Sequence, residues 1–406
     1  MILGRIVSVR FGAIGVYAFA LTILYLAAAY IGPLFVFLFS IFLLVPVGSL
    51  LMVFVTTAAI RYNQEFSTDH PLKGEQVVYT LSVSKEAWIP SGPIRLRLVG
   101  TQQGMNIGLD DIDIYPAANS RFTFSHSVQC PFRGVYIVGL ESIEIRGYFG
   151  WFSYFLPAWV RTFYVYPRII ELRRSPFGEE GTSVALPGIT RGGEEDYTLL
   201  ESLDQYRPGE PVRHMSWKKF ASSGQPALRR YESSSQPGVT IILDTRGSGD
   251  RSVNFLEMED CSIEILVAVV KYFVDRDVPV QVLGDGIESF HFAGRDEPQF
   301  RKFHQATVGI FFQSKTSPIQ VLQEQVLVSR FAPGSVLFIT HLADPDILSV
   351  CDRSSSAIPA AAILNLSGMS PVQRERAESG IVFLRDRGGS IRVVHSAMSI
   401  AEDLWK

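Results

Sequence analysis

The residues with the most chemical potential gather in one stretch, Tyr206-Arg-Pro-Gly-Glu-Pro-Val-Arg-His-Met-Ser-Trp-Lys-Lys-Phe-Ala221. Pro208-Gly209 reads as a tight turn. Between Arg207 and Glu232 the six cations Arg207, Arg213, Lys218, Lys219, Arg229 and Arg230 face only Glu210 and Glu232, a local excess of four in a chain of net charge −3. Three chemistries could use such a stretch: acid/base work by His214, contact with a phosphate backbone, or charge-steered docking on a protein. The seven histidines form no His-Glu-x-x-His spacing, and there is neither a Gly-x-Ser-x-Gly elbow nor a phosphate loop ending in Gly-Lys-Ser/Thr. A hydrolase would therefore rest on His214 alone. A nucleic-acid surface needs a broader basic field with several stacking aromatics, which the acidic balance opposes. Docking remains, beside a purely structural reading. In the latter, Trp217 buries its ring and Arg213 pairs with Glu210 or Asp204.

The elements that must position this stretch begin with an anchor. From Phe11 to Ile60 there is no Asp, Glu, Lys, Arg or His, a run of fifty residues. A bilayer core needs about 20 helical residues per crossing, and Gly32-Pro33 breaks the run near its middle. The expectation is a transmembrane hairpin of Phe11–Ile31 and Leu34 to about Ala58. Arg5 and Arg10 precede it, Arg61 follows it, and the turn is uncharged. Positive flanks stay inside, which predicts a multi-pass protein of the cell membrane with both termini cytoplasmic. Ala27-Ala28-Ala29 leaves a cleaved signal peptide as the alternative, with the second run still an anchor. The three cysteines are far apart and form no Cys-x-x-Cys, consistent with a reducing compartment.

Beyond the hairpin (1–60) the apolar period is two. Val77, Tyr79, Leu81 and Val83 share one face, as do Ile94, Leu96 and Leu98, then Phe122, Phe124 and Val128, then Ile143 and Ile145, then Phe163 and Val165. Turn signals separate these runs, so 61–170 reads as an antiparallel β-sandwich. A signature-bearing connection fills 171–236. From 237 to 406 apolar runs alternate with helical spacing: Val239–Asp244, then Met258, Ser262, Ile265, Val269 and Phe273, then further strands and a helix over Ser370–Arg387. That alternation predicts a doubly wound α/β domain. Its ligand edge lies beyond the carboxyl ends of the strands, where Asp244 closes the first one.

Several spaced motifs agree in order with one family. Tyr206, Pro208-Gly209-Glu210, Arg213, Met215-Ser216-Trp217-Lys218 and Leu228-Arg-Arg-Tyr-Glu232 resemble the pattern of a bacterial and archaeal family named domain of unknown function 58. Upstream, Arg133-Gly-Val-Tyr136, Ile143 to Phe152 and Val165-Tyr-Pro167 resemble its other elements. The resemblance implies a membrane protein with a von Willebrand factor A-like domain, set beside MoxR-type AAA+ ATPases. A non-enzymatic adaptor that binds such a partner follows from it. Tyr206, Pro208, Gly209, Glu210, Arg213, Trp217 and Lys218 become the characteristic surface, with the lipid bilayer as the other partner and no nucleic acid. A working metal site in such domains has Asp-x-Ser-x-Ser after the first strand. Here the residues are Asp244-Thr-Arg246-Gly-Ser248, which leaves a degenerate Mg²⁺ site of Asp244 and Ser248. A guanidinium at Arg246 would repel the cation and could neutralise Asp244. No cofactor is expected otherwise. A metal-dependent von Willebrand A-type binder is the alternative.

Overall fold

A computed structural model of the chain describes residues 8–9, 11–30, 32–89, 91–102, 105–173, 195–205, 227–233, 238–247, 252–292, 296–329, 335–351, 360–369, 374–375, 377–378, 381 and 390–404. Two compact units divide it, Met1–Tyr166 and Pro167–Lys406.

The first unit opens with helices α1 (Phe11–Tyr30) and α2 (Pro33–Ala59). Gly32 supplies the positive φ of the break (145°), and Pro33 takes the first helical position, where its missing N–H costs nothing. At 27 residues, α2 is long and apolar enough to cross a membrane; α1 is the shorter apolar helix. Phe19, Tyr30, Leu34, Phe37 and Leu44 all turn outward. The C-terminal turns of α2 behave differently: Ser49, Met52, Val53 and Thr56 are buried. A side chain at Gly147 would stand 2.7 Å from Ser49 Oγ, so the backbone there approaches the helix closely.

Ten strands complete this unit: β1 (Ser8–Val9), β2 (Ile60–Phe66), β3 (Gln76–Lys85), β4 (Ile94–Gln102), β5 (Met105–Asn106), β6 (Ile112–Ile114), β7 (Arg121–Gln129), β8 (Gly134–Arg146), β9 (Phe152–Pro157) and β10 (Arg161–Val165). One antiparallel sheet runs β2-β3-β7. The other runs β1-β9-β8-β4-β5, with β10 on β8 and β6 on β4. The period-two residues fill the space between them: Val77, Tyr79, Leu81, Val83, Ile94, Leu96, Ile143, Ile145, Phe163 and Val165 form one buried cluster, joined by Val53 of α2. Gln64 ties the layers together. Its amide donates to the Trp159 carbonyl, while its oxygen accepts from Tyr79 Oη and the Leu140 amide. Helix α2 and the two sheets therefore share one unit, a consequence of α2 burying its last turns.

In the second unit, β11 (Glu195–Gln205) and β12 (Ala227–Ser233) pair antiparallel, with Gln205 opposite Ala227. The main sheet holds β13 (Val239–Leu243), β14 (Val280–Leu283), β15 (Phe290–Phe292), β16 (Val336–Thr340), β17 (Ala360–Asn365) and β18 (Ile391–Val394), in the order β15-β14-β13-β16-β17-β18. Five strands are parallel, and β15 is an antiparallel edge. Helices α3 (Val253–Val274), α4 (Glu297–Ala306), α5 (Pro318–Ser329), α6 (Pro345–Val350) and α7 (Ile400–Asp403) accompany it. Val239, Ile241 and Leu243 share a core with α3 and α4. Ile242, Val336 and Phe338 share another with Ile347 and Cys351. With both faces covered, β13 is buried at every position, which is why it reads as an unbroken apolar run. Of the helix expected over Ser370–Arg387, Arg374, Glu375, Ala377, Glu378 and Ile381 are helical, and the rest lies outside the described residues.

Candidate functional site

Strand order reverses between β13 and β16, so the crevice at their carboxyl ends is where a sheet of this kind receives ligands. Asp244 follows β13 directly, and Thr340 ends β16. The Thr340 hydroxyl donates to Asp244 Oδ2 at 2.7 Å. Arg246 turns back over the same carboxylate. Its Nε reaches Asp244 Oδ1 at 2.9 Å and its Nη2 reaches Oδ2 at 2.7 Å, a two-pronged contact. The third nitrogen, Nη1, binds Asp344 Oδ2 at 2.7 Å. Asp344 also caps α6 by accepting from the Asp346 amide. The Asp244 side chain has no exposure, against 18% for Arg246 and 15% for Asp344. One guanidinium thus bridges two carboxylates, and its own proton affinity is raised by those bonds.

The walls are equally closed. Thr245 Oγ1 donates to the Asp285 carbonyl, and Ser314 Oγ donates to Asp285 Oδ2 at 2.5 Å. Hydrogen bonds from Ser314 and Thr316 hold the Asp285 carboxyl below its usual range. Gly247 permits the neighbouring segment to close in, because a Cβ there would collide with the Phe312 carbonyl. His341 sits beside Thr340 with its ring 5.6 Å from that of Phe312, and its buried Nδ1 has no hydrogen-bond partner among the described residues. Burial pushes its pKa down, opposed by the charge of Asp244.

Asp244 therefore stands where the sequence puts it, and Arg246, Thr340 and Asp344 converge on it. Ser248 lies outside the described residues. So do Tyr206, Pro208, Gly209, Glu210, Arg213, Trp217, Lys218 and His214, which belong to the connection from Gln205 to Ala227. Among the described residues, no three His, Cys, Asp or Glu side chains gather as metal ligands. A cation reaching Asp244 would first have to displace a guanidinium held by three short charged bonds. Asp285 and Ser314 were not singled out by sequence reasoning, since a lone Asp after the second strand carries no spacing signal. A second charged pair serves the fold: Arg168 binds the fully buried Glu264 of α3 through two 2.9 Å contacts.

No protein-family model matches the chain, and no curated protein sequence matches it. Among solved structures, the C-terminal domain of Wzt is 12% identical over 30% of this chain and 84% of its own, with a TM-score of 0.20. The sporulation control protein Spo0M of Bacillus subtilis is 13% identical over 26% of this chain and 49% of its own, at 0.17. A β-glucosidase from Listeria innocua is 8% identical over 26% and 16%, also at 0.17. Such scores carry no argument about fold or activity.

Proposed function

We propose that this chain is a membrane-anchored, non-enzymatic adaptor of the domain of unknown function 58 family, whose von Willebrand A-like α/β domain grips another protein. A MoxR-type AAA+ ATPase is the partner class, acting on a client that the complex assembles or activates. In this reading α1 and α2 form a two-helix membrane hairpin with both chain ends in the cytoplasm. The observation that carries the proposal is Arg246, which lies between Asp244 and Asp344 at the switch point. A crevice whose buried carboxylate is already paired with a guanidinium is suited to a polar contact with a polypeptide rather than to a divalent cation. The order of the sheet, with an antiparallel strand at one edge, agrees with the von Willebrand A-like assignment, and the apolar length of α2 agrees with the anchor.

Two measurements test it. The full chain should resist alkaline carbonate extraction from native membranes and yield only to detergent. From the solubilised membranes it should capture an AAA+ ATPase, with Arg213→Glu weakening capture at least tenfold. Extraction by carbonate sinks the anchor, and undiminished capture by Arg213→Glu sinks the docking role of the basic stretch. A Mg²⁺-dependent rise in unfolding temperature that Asp244→Ala abolishes would instead favour the metal-dependent binder.

A further inference from the structure

The β-sandwich contains a cavity of about 270 Å³ walled by Ile60, Val83, Ile94, Ile114 and Phe122, with Tyr115 among its lining residues. Two charged side chains interrupt this apolar wall, the exposed Arg121 and the buried Lys85. Lys85 takes the last inward position of β3, continuing the row Val77, Tyr79, Leu81 and Val83, and is only 2% exposed. Its Nζ donates to the Ile89 carbonyl at 2.5 Å. No carboxylate pairs with it among the described residues. An ammonium carries three donors, and one neutral carbonyl leaves the charge uncompensated. Buried charges of this kind are expensive unless an opposite charge meets them. The desolvation lowers the pKa of the amine accordingly.

The place of the cavity is as informative as its chemistry. Ile60, which follows the last residue of α2, pairs with Lys85 across β2 and β3. The Glu86 amide donates to the Ala59 carbonyl, which fastens the end of the helix to this corner. Trp88 and Tyr115 stand exposed there at 79% and 77%. Aromatic side chains with a polar handle favour the boundary between lipid and water.

We propose that this cavity binds an anionic amphiphile, with its oxyanion received by Lys85 Nζ and its apolar segment laid against Ile60, Val83, Ile94, Ile114 and Phe122. The volume is smaller than the roughly 300–1,000 Å³ that encloses a drug-sized ligand. It takes a short chain, or the head-proximal part of a longer one, rather than a whole diacyl lipid. The ligand chemistry rests on the cavity alone. A bilayer as its source rests on the membrane anchor proposed above.

The test uses the full chain in an uncharged detergent, with thermal unfolding followed during titration with dihexanoyl phosphatidic acid, decanoate or decanol. Both anions should raise the midpoint, and decanol should not. A stronger response to phosphatidic acid identifies membrane lipid as the source; a stronger response to decanoate identifies a soluble fatty acid. Lys85→Met should weaken either anion at least tenfold while leaving the unliganded midpoint unchanged or higher, because an unpaired buried charge has gone. Ile114→Phe narrows the cavity with Lys85 in place and should also lose the response. Equal responses to decanol and decanoate, or full responses in both variants, overturn the proposal. Carbonate extraction of the same preparation reports on the anchor independently.

Discussion

Replacing Arg246 by alanine strips the cation from between two carboxylates and leaves one of them sealed in the protein. Asp244 would keep the Thr340 hydroxyl at 2.7 Å and the backbone amide of residue 246 at 3.1 Å, but would lose both charged bonds at 2.9 and 2.7 Å. Its side chain has no exposure through which water could compensate. Removing one partner of a buried ion pair costs about 3–5 kcal/mol. For a unit of this size each kcal/mol moves the midpoint by about 2–4 °C, so Arg246→Ala should unfold about 6–20 °C lower. Thermal unfolding of the full chain in detergent, read by circular dichroism at pH 7.5, measures the loss. The double variant Asp244→Asn with Arg246→Met removes both charges and should recover part of it, with a coupling of about 1–3 kcal/mol in the cycle. A loss under about 1 kcal/mol, or two single effects that simply add, would refute the argument that the guanidinium holds the buried Asp244 carboxylate as an ion pair.

Further outcomes follow from other contacts. Arg246→Ser should gain a Mg²⁺-dependent rise in midpoint that the parent chain lacks, because Asp244, Asp344 and Thr340 are then free to face a cation; equal behaviour of the two proteins counts against the plugged-edge reading. Gln64→Leu leaves the buried Tyr79 hydroxyl and Leu140 amide without an acceptor, at about 1–3 kcal/mol for each group, and calorimetry should show a loss of at least about 2 kcal/mol. Burial holds the imidazoles of His304 and His341 below their ordinary value of about 6.5. As pH falls through that value the unfolded chain takes up protons that the native state refuses, so stability is full above it and declines below it. The urea midpoint should drop between pH 7.5 and 5.5, and His341→Phe should flatten the drop. Burial raises the thiols of Cys130 and Cys351 to about 11 and about 12, so maleimide should label them only on unfolding.

The readable parts of this chain were those where one force dominates a whole segment. Burial on one face imposes a period of two, and every inward residue expected in β3 and β4 is buried. Burial on both faces leaves an unbroken run, as in β13. The same logic could have exposed Lys85, since the inward row from Val77 reaches it two residues after Val83; the lysine hides because a charge ends an apolar pattern to the eye. The short edge strand β15 escaped because Phe290-His-Phe292 is three residues long and is fixed by pairing with β14, not by its own pattern. At the crevice, Asp244 was legible from its place after a strand. Asp344 and Asp285 meet their partners only through the fold, across 98 and 29 residues of chain respectively. The motif stretch from Tyr206 to Lys218 was the most conspicuous in the sequence and lies outside the described residues.

The junction at Ala59 and Ile60 has a mechanical meaning. Helix α2 gives way to β2 without an intervening residue, and Ser49 and Val53 are wedged against Gly147 two turns earlier. A flexible tether would let the sandwich swivel while the helix stays put. Here a tilt of the helix against the sheet would have to break the hydrogen bond from the Glu86 amide to the Ala59 carbonyl and open the close approach at Gly147, so those contacts stand between a load on one element and its release from the other.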